Sequence, residues 1–226
     1  MFDRQIIGVF AVSVSCGLIG FSASADIIYP GPFGGTNVTY TDVVEATGNP
    51  LEDPEPLFGA PTIVSGDLLD FDPTPAFLAD APPTDTTDGA LSFIATANTG
   101  TLTELVISES GTYAFTGVDN DELVAATLLV RVSDPVTNAE LLTDQIVFSQ
   151  QYDTAPSQVG VWSQSLTLDL TPFAASSVEV QVNNILQTTG VGPGTAVISK
   201  TDFNVTPEPA AASLLAGLGL ALLRRR

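Results

Sequence analysis

Carboxylates are the only abundant reactive side chains in this 226-residue chain, which holds 26 Asp and Glu against six Lys and Arg, no histidine and one cysteine. Without histidine there is no Ser-His-Asp triad, no histidine general base and no histidine-ligated zinc or iron site. No Gly-rich phosphate loop opens a helix beside a lysine. Two carboxylates either side of a sugar bond are enough for glycoside hydrolysis. With this many acids, however, some pair meets that spacing by chance, so no enzyme is expected. Calcium takes about six to eight oxygen ligands and suits acidic turns better. Asp119-Asn120-Asp121-Glu122 lies between two apolar runs. Asp119 and Asp121, two apart, can present oxygens to one ion, with Asn120 adding a carbonyl or amide. Asp67, Asp70 and Asp72 form a second candidate. The competing reading of both is an Asx-type turn, in which Asp and Asn bond their own backbone. No cofactor is therefore required, and calcium stays open.

For sugar binding, aromatic faces are the usual tools. Trp162 is the only tryptophan and follows Val159-Gly160-Val161 at the start of a strand. It is either a stacking platform or a core residue. Tyr29, Tyr40, Tyr113 and Tyr152 are further aromatic candidates. Between Asp26 and Thr206 there are 24 acids and only two bases, Arg131 and Lys200. Such a surface offers almost nothing to displace phosphate counterions, so no nucleic acid is expected as partner. Arg131 sits in an apolar strand, where it pairs with an acid at a sheet edge or clamps a ligand carboxylate.

The elements that hold these residues are strands. From Asp26 to about Asp88 the chain is broken by Pro and Gly, with alternating runs at 36–46, 62–65 and 67–71. From Gly89 onward the runs are 90–97, 101–108, 111–117, 123–132, 145–150, 159–170, 177–186 and 195–205. Leu166-Thr167-Leu168-Asp169-Leu170 alternates most cleanly. About ten strands separated by Gly, Pro, Asn and Asp, with no long helical period, predict an all-β antiparallel sandwich, jelly-roll-like. No fixed-period repeat favours a β-helix.

The two ends differ from the middle. Arg4, an apolar run from Ile6 to Phe21 and the small residues Ala23-Ser24-Ala25 predict a helical secretory signal over 1–25, cut so that Asp26 leads the mature chain. Cys16 falls inside that segment, so the mature protein has no thiol. At the other end, Pro207-Glu208-Pro209 precedes an uncharged run, Ala210 to Leu223, and the chain closes on Arg224-Arg225-Arg226. As a helix rising 1.5 Å per residue the run spans about 21 Å, short of the ~30 Å hydrocarbon core. Terminal arginines can reach the headgroups on the cytoplasmic side. The segment suits a temporary membrane contact better than a permanent anchor.

This three-part end, residues 207–226, closely resembles the PEP-CTERM sorting signal. The stretches Tyr40-Thr41-Asp42-Val43, Leu57-Phe58-Gly59-Ala60-Pro61 and Gly66-Asp67 are similar to β proteins that carry that signal. The resemblance implies passage through the secretion translocon, recognition by an exosortase and delivery to the cell surface or exterior, often alongside exopolysaccharide. The expectation is an exported, non-enzymatic structural or adhesive protein of the surface or matrix, with an acidic sandwich over 26–206. The alternative is an exopolysaccharide-binding module, with or without the assistance of calcium.

Overall fold

A computed structural model of the chain describes residues 26–47, 56–81, 84–116, 122–152, 157–190 and 195–210. Their alternating apolar residues can be buried only by pleated strands stacked face to face. The strands, in chain order, are β1 (Ile27–Tyr29), β2 (Phe33–Gly34), β3 (Val38–Thr47), β4 (Pro61–Val64), β5 (Leu68–Phe71), β6 (Leu78–Ala81), β7 (Thr84–Ala97), β8 (Leu102–Thr116), β9 (Leu123–Ser133), β10 (Glu140–Gln151), β11 (Ser157–Asp169), β12 (Ser177–Thr189) and β13 (Thr195–Pro209). A single 3-10 turn, Thr171–Phe173, joins β11 to β12. One sheet has the order β1-β3-β7-β12-β9-β10, with β2 beside β3. The other runs β11-β8-β13-β5-β4, with β6 beside β13. Every pairing is antiparallel. The result is the two-layer all-β sandwich the strand pattern predicts.

The layers meet through period-two burial. Val178, Val180, Val182 and Leu186 of β12 and Leu105, Ile107 and Phe115 of β8 all point into the shared interior and are buried. Phe58, Phe71, Phe77 and Phe203 pack edge to face at centroid distances of 5.0–6.2 Å, the arrangement ring quadrupoles favour. At the seam between β10 and β11, Phe148 stacks on Trp162 at 5.7 Å and 24° and closes the gap between the sheets.

Three details depart from the sequence reading. The runs 101–108 and 111–117 are one strand, because Gly111 lies in mid-strand opposite Trp162 and Lys200 instead of in a turn. The stretch 80–88, which Pro82-Pro83 marks as a long loop, holds the end of β6 and the start of β7. The last strand does not stop at Thr206. It continues through Pro209, with Pro207 opposite Leu105 and Glu208 opposite Glu104. Beyond Val205 strand β5 has ended, so this part of β13 has only β8 beside it. Ala210 N–H bonds Thr101 O on the β8 side at 2.7 Å. Alternation then turns the two proline nitrogens, which have no proton to donate, toward the open side.

Buried carboxylates fasten the irregular segments. Glu45, buried in β3, accepts the Tyr29 hydroxyl at 2.6 Å and the amides of Leu57 and Phe58, the latter at 2.8 Å. Asp67 accepts Asn37 N–H at 2.6 Å, Val38 N–H at 3.0 Å and Asn37 Nδ2 at 2.8 Å. Partial burial pushes the Asp67 carboxyl up, but these donors outweigh it and hold the group below its ordinary value. Asp67→Asn is therefore expected to lower stability at neutral pH by about 1–3 kcal/mol. A depressed folded pKa contributes stability above the unfolded pKa, and that contribution disappears as pH falls through the folded value. The gap between the two proteins in urea melts should close in acid; a gap constant from neutral pH to strong acid would contradict the assignment.

Candidate functional site

A polar cluster sits where the sandwich should be driest. The alternation of β13 buries Ala196, Ile198 and Phe203, and on the same inward face places Lys200, the only lysine of the chain. The neighbouring β8 turns Glu109 inward, β11 turns Gln164 inward, and Asn184 of β12 comes from the opposite sheet. All four are buried. Lys200 Nζ and Asn184 Nδ2 both donate to one oxygen, Glu109 Oε2. Gln164 Nε2 donates to the other oxygen, Oε1, at 2.5 Å and lies 3.3 Å from Ala126 O. The Nζ atom also lies 4.6, 5.0 and 5.3 Å from the ring centroids of Phe77, Phe203 and Phe58.

Two effects oppose each other at Lys200. Burial pushes its ammonium down, while the charge of Glu109 and the hydrogen bond to it pull the other way; the outcome is a pKa lowered to about 8. The ring faces favour the cation but also shut out water. Two amide oxygens of the cluster, Gln164 Oε1 and Asn184 Oδ1, have no hydrogen-bond partner, which is unusual for buried polar atoms.

The residues singled out in the sequence lie elsewhere. Trp162 is 2% exposed, and its indole N–H donates to Ser199 O at 3.0 Å. Covered by Phe148 and tied to the backbone, it is a core residue and presents no stacking face. Arg131 pairs with Glu140 at 3.1 Å, both side chains about half exposed, an edge pair of the kind that contributes little. Asp67 is committed to Asn37 and Val38. Burial, then Asp72 and Asp202, raise the carboxyl of Asp70. Among the described residues no group of three or more His, Cys, Asp or Glu is placed to hold a metal ion. The calcium candidates Asp119, Asn120 and Asp121, the cleavage residues Ala23 and Ala25, and Arg224, Arg225 and Arg226 lie outside the described residues. Asp26 is exposed just before β1. Among the described residues no helix is long and apolar enough to cross a membrane.

Pro207, Glu208 and Pro209 line an open depression of about 530 Å³, together with Asn37, Asp67 and Leu68. Pro207 is buried and Glu208 exposed. Thr103 Oγ1 donates to Glu208 O at 2.7 Å, which binds this segment to β8.

No family model and no curated protein matches the chain. Among solved structures, the chain is similar to that of the infectious bursal disease virus Gt strain, at 15% identity and a TM-score of 0.38, with 72% of this chain and 38% of that chain covered. It is also similar to TmCBM61 in complex with beta-1,4-galactotriose, at 10% identity and a TM-score of 0.24, covering 76% of this chain and 87% of that one. The chain thus spans well under half of the viral chain. The sandwich assignment stands on the strand pairing.

Proposed function

We propose that this chain is an exported protein, sorted by an exosortase through its C-terminal tail, with a non-enzymatic structural or adhesive role at the cell surface or in the extracellular matrix. Its jelly-roll-like sandwich is the part that stays outside. The observation that carries this reading is the distribution of polar groups. Inside, the reactive side chains Glu109, Lys200, Asn184 and Gln164 are closed off from solvent and face one another. Outside, the second sheet presents small hydroxyl and amide side chains, with Val159 and Val161 exposed at the start of β11. Ser163 pairs with Ser110, Ser165 with Ser108, Thr112 with Ser199, and Ser108 with Asn204. A face of that kind, on an acidic chain, stays solvated and has no charge attraction for nucleic acid.

The translocon and the exosortase are the partners during export, and membrane contact through Ala210–Leu223 is temporary. Exopolysaccharide is the polymer the exposed face would meet. The binding-module alternative loses its main support with Trp162 in the core.

Cell fractionation followed by mass spectrometry of the chain's termini tests the reading. The chain should be recovered outside the inner membrane, starting at Asp26 and lacking Arg224–Arg226. Recovery in the inner membrane with the final arginine intact would overturn it.

A further inference from the structure

We infer that Lys200 and Asn184 become joined by an isopeptide bond, made within the folded domain with Glu109 as the acid–base group. The shared oxygen is the central observation. Because Nζ of Lys200 and Nδ2 of Asn184 both contact Glu109 Oε2, the amine and the amide are neighbours within about two hydrogen-bond lengths. Gln164, the other amide present, contacts Oε1 instead. It holds the carboxylate in place and does not share the oxygen that Lys200 touches. The amine comes from one sheet and Asn184 from the other, so packing of the sandwich itself brings the reactants together.

Three further features suit this chemistry. An amine attacks only as the free base, and burial has already moved Lys200 down to about 8. Phe58, Phe77 and Phe203 surround Nζ and keep out the water that would compete for the amide carbon. Asn184 Oδ1 is buried with no partner. A half-turn of the amide exchanges Nδ2 for Oδ1 at Glu109, where a protonated carboxyl donates to it and polarises Cγ. Fixed juxtaposition of this kind is equivalent to reactant concentrations of about 10⁵–10⁸ M.

The step balances without an outside reagent. The proton between Nζ and Oε2 moves to Glu109, leaving a neutral amine. The Nζ lone pair attacks Cγ of Asn184, and the Nζ–Cγ bond forms as the carbonyl opens to a tetrahedral centre. Glu109 relays one Nζ proton to Nδ2. The Cγ–Nδ2 bond breaks, the carbonyl closes, and ammonia leaves with three hydrogens. Nζ keeps one hydrogen as an amide, Glu109 ends protonated, and the two sheets are covalently joined.

The test uses the full chain, purified folded, and the mass of one peptide. Cleavage at acidic residues releases 180–202 in one piece, because no Asp or Glu lies between Glu179 and Asp202. That peptide is expected to be lighter than its sequence by one ammonia and to give no backbone fragments between Asn184 and Lys200. A second cut after Leu186 should leave its halves attached. Glu109→Gln should restore the sequence mass. If that variant does not fold, the wild-type peptide still decides. A wild-type peptide at its full sequence mass would overturn the inference. So would an ammonia loss with ordinary fragmentation, or a Lys200 cross-link to Gln164.

Discussion

Gly111→Ala is expected to leave little or no folded protein. A Cβ at this position would lie 1.9 Å from Ser199 O and 2.7 Å from Trp162 Nε1. The first obstacle is backbone, on a strand whose pairing shifts register between Lys200 and Asp202, so it cannot swing aside as a side chain would. Ordinary overpacking costs about 1–3 kcal/mol; here the loss should exceed that range, because β8 and β13 would have to separate where Trp162 crosses them. Soluble yield and thermal unfolding measure it. Gly34→Ala is the control, since nothing lies within 4 Å of a Cβ there, and a surface change of this kind stays within about 0.5 kcal/mol. If Gly111→Ala melts with its parent, the close approach of the two strands is wrong.

Phe58→Ala should be nearly as damaging for the opposite reason. Its ring is fully buried and contacts the rings of Phe71, Phe77 and Phe203. No neighbour is free to collapse into the space. Removing such a ring costs about 3–5 kcal/mol, and a domain of this size loses about 2–4 °C of Tm per kcal/mol. The phenylalanine is also pinned to Glu45 by its own amide, so the loss should loosen the Leu57–Phe58 segment from β3. Val136→Ala, at a residue 87% exposed, should melt with the wild type. A Phe58→Ala protein doing the same would mean the aromatic cluster contributes nothing.

Much of this architecture was legible in the residues, and the failures have physical causes. Alternation in 159–170 and 177–186 marks strands directly, because side chains on successive residues must point to opposite faces. Alternation says nothing about which strand lies beside which. Glu109, Asn184 and Lys200 are separated by 75 and 91 residues along the chain, and only the pairing of β8 with β13 and the stacking of β12 above them bring the three together. One signal was present: the chain's single lysine occupies an apolar position of an alternating strand, between Ile198 and Phe203. Gly111 misled because glycine usually breaks strands. Here its missing side chain is what admits an indole and a neighbouring backbone. Trp162 was open between platform and core until Phe148 was placed against it. The motif 207–209 reads as a rigid frame around one acid that opens the tail beyond the 26–206 sandwich, yet β13 carries it into the sheet, since open space beyond β5 accommodates prolines.

The position of β13 has a consequence for how the domain comes to be folded. The last of the described strands sits between β8 and β5, in the middle of its layer, and it delivers Ile198, Lys200, Phe203 and Val205 to the interior. A nascent chain that ends before residue 195 has a gap where this strand belongs and two unsatisfied edges facing each other across it. Such a chain can collapse but cannot lock. Closure of this layer waits for residues 195–209, which supply the partner that both β8 and β5 need.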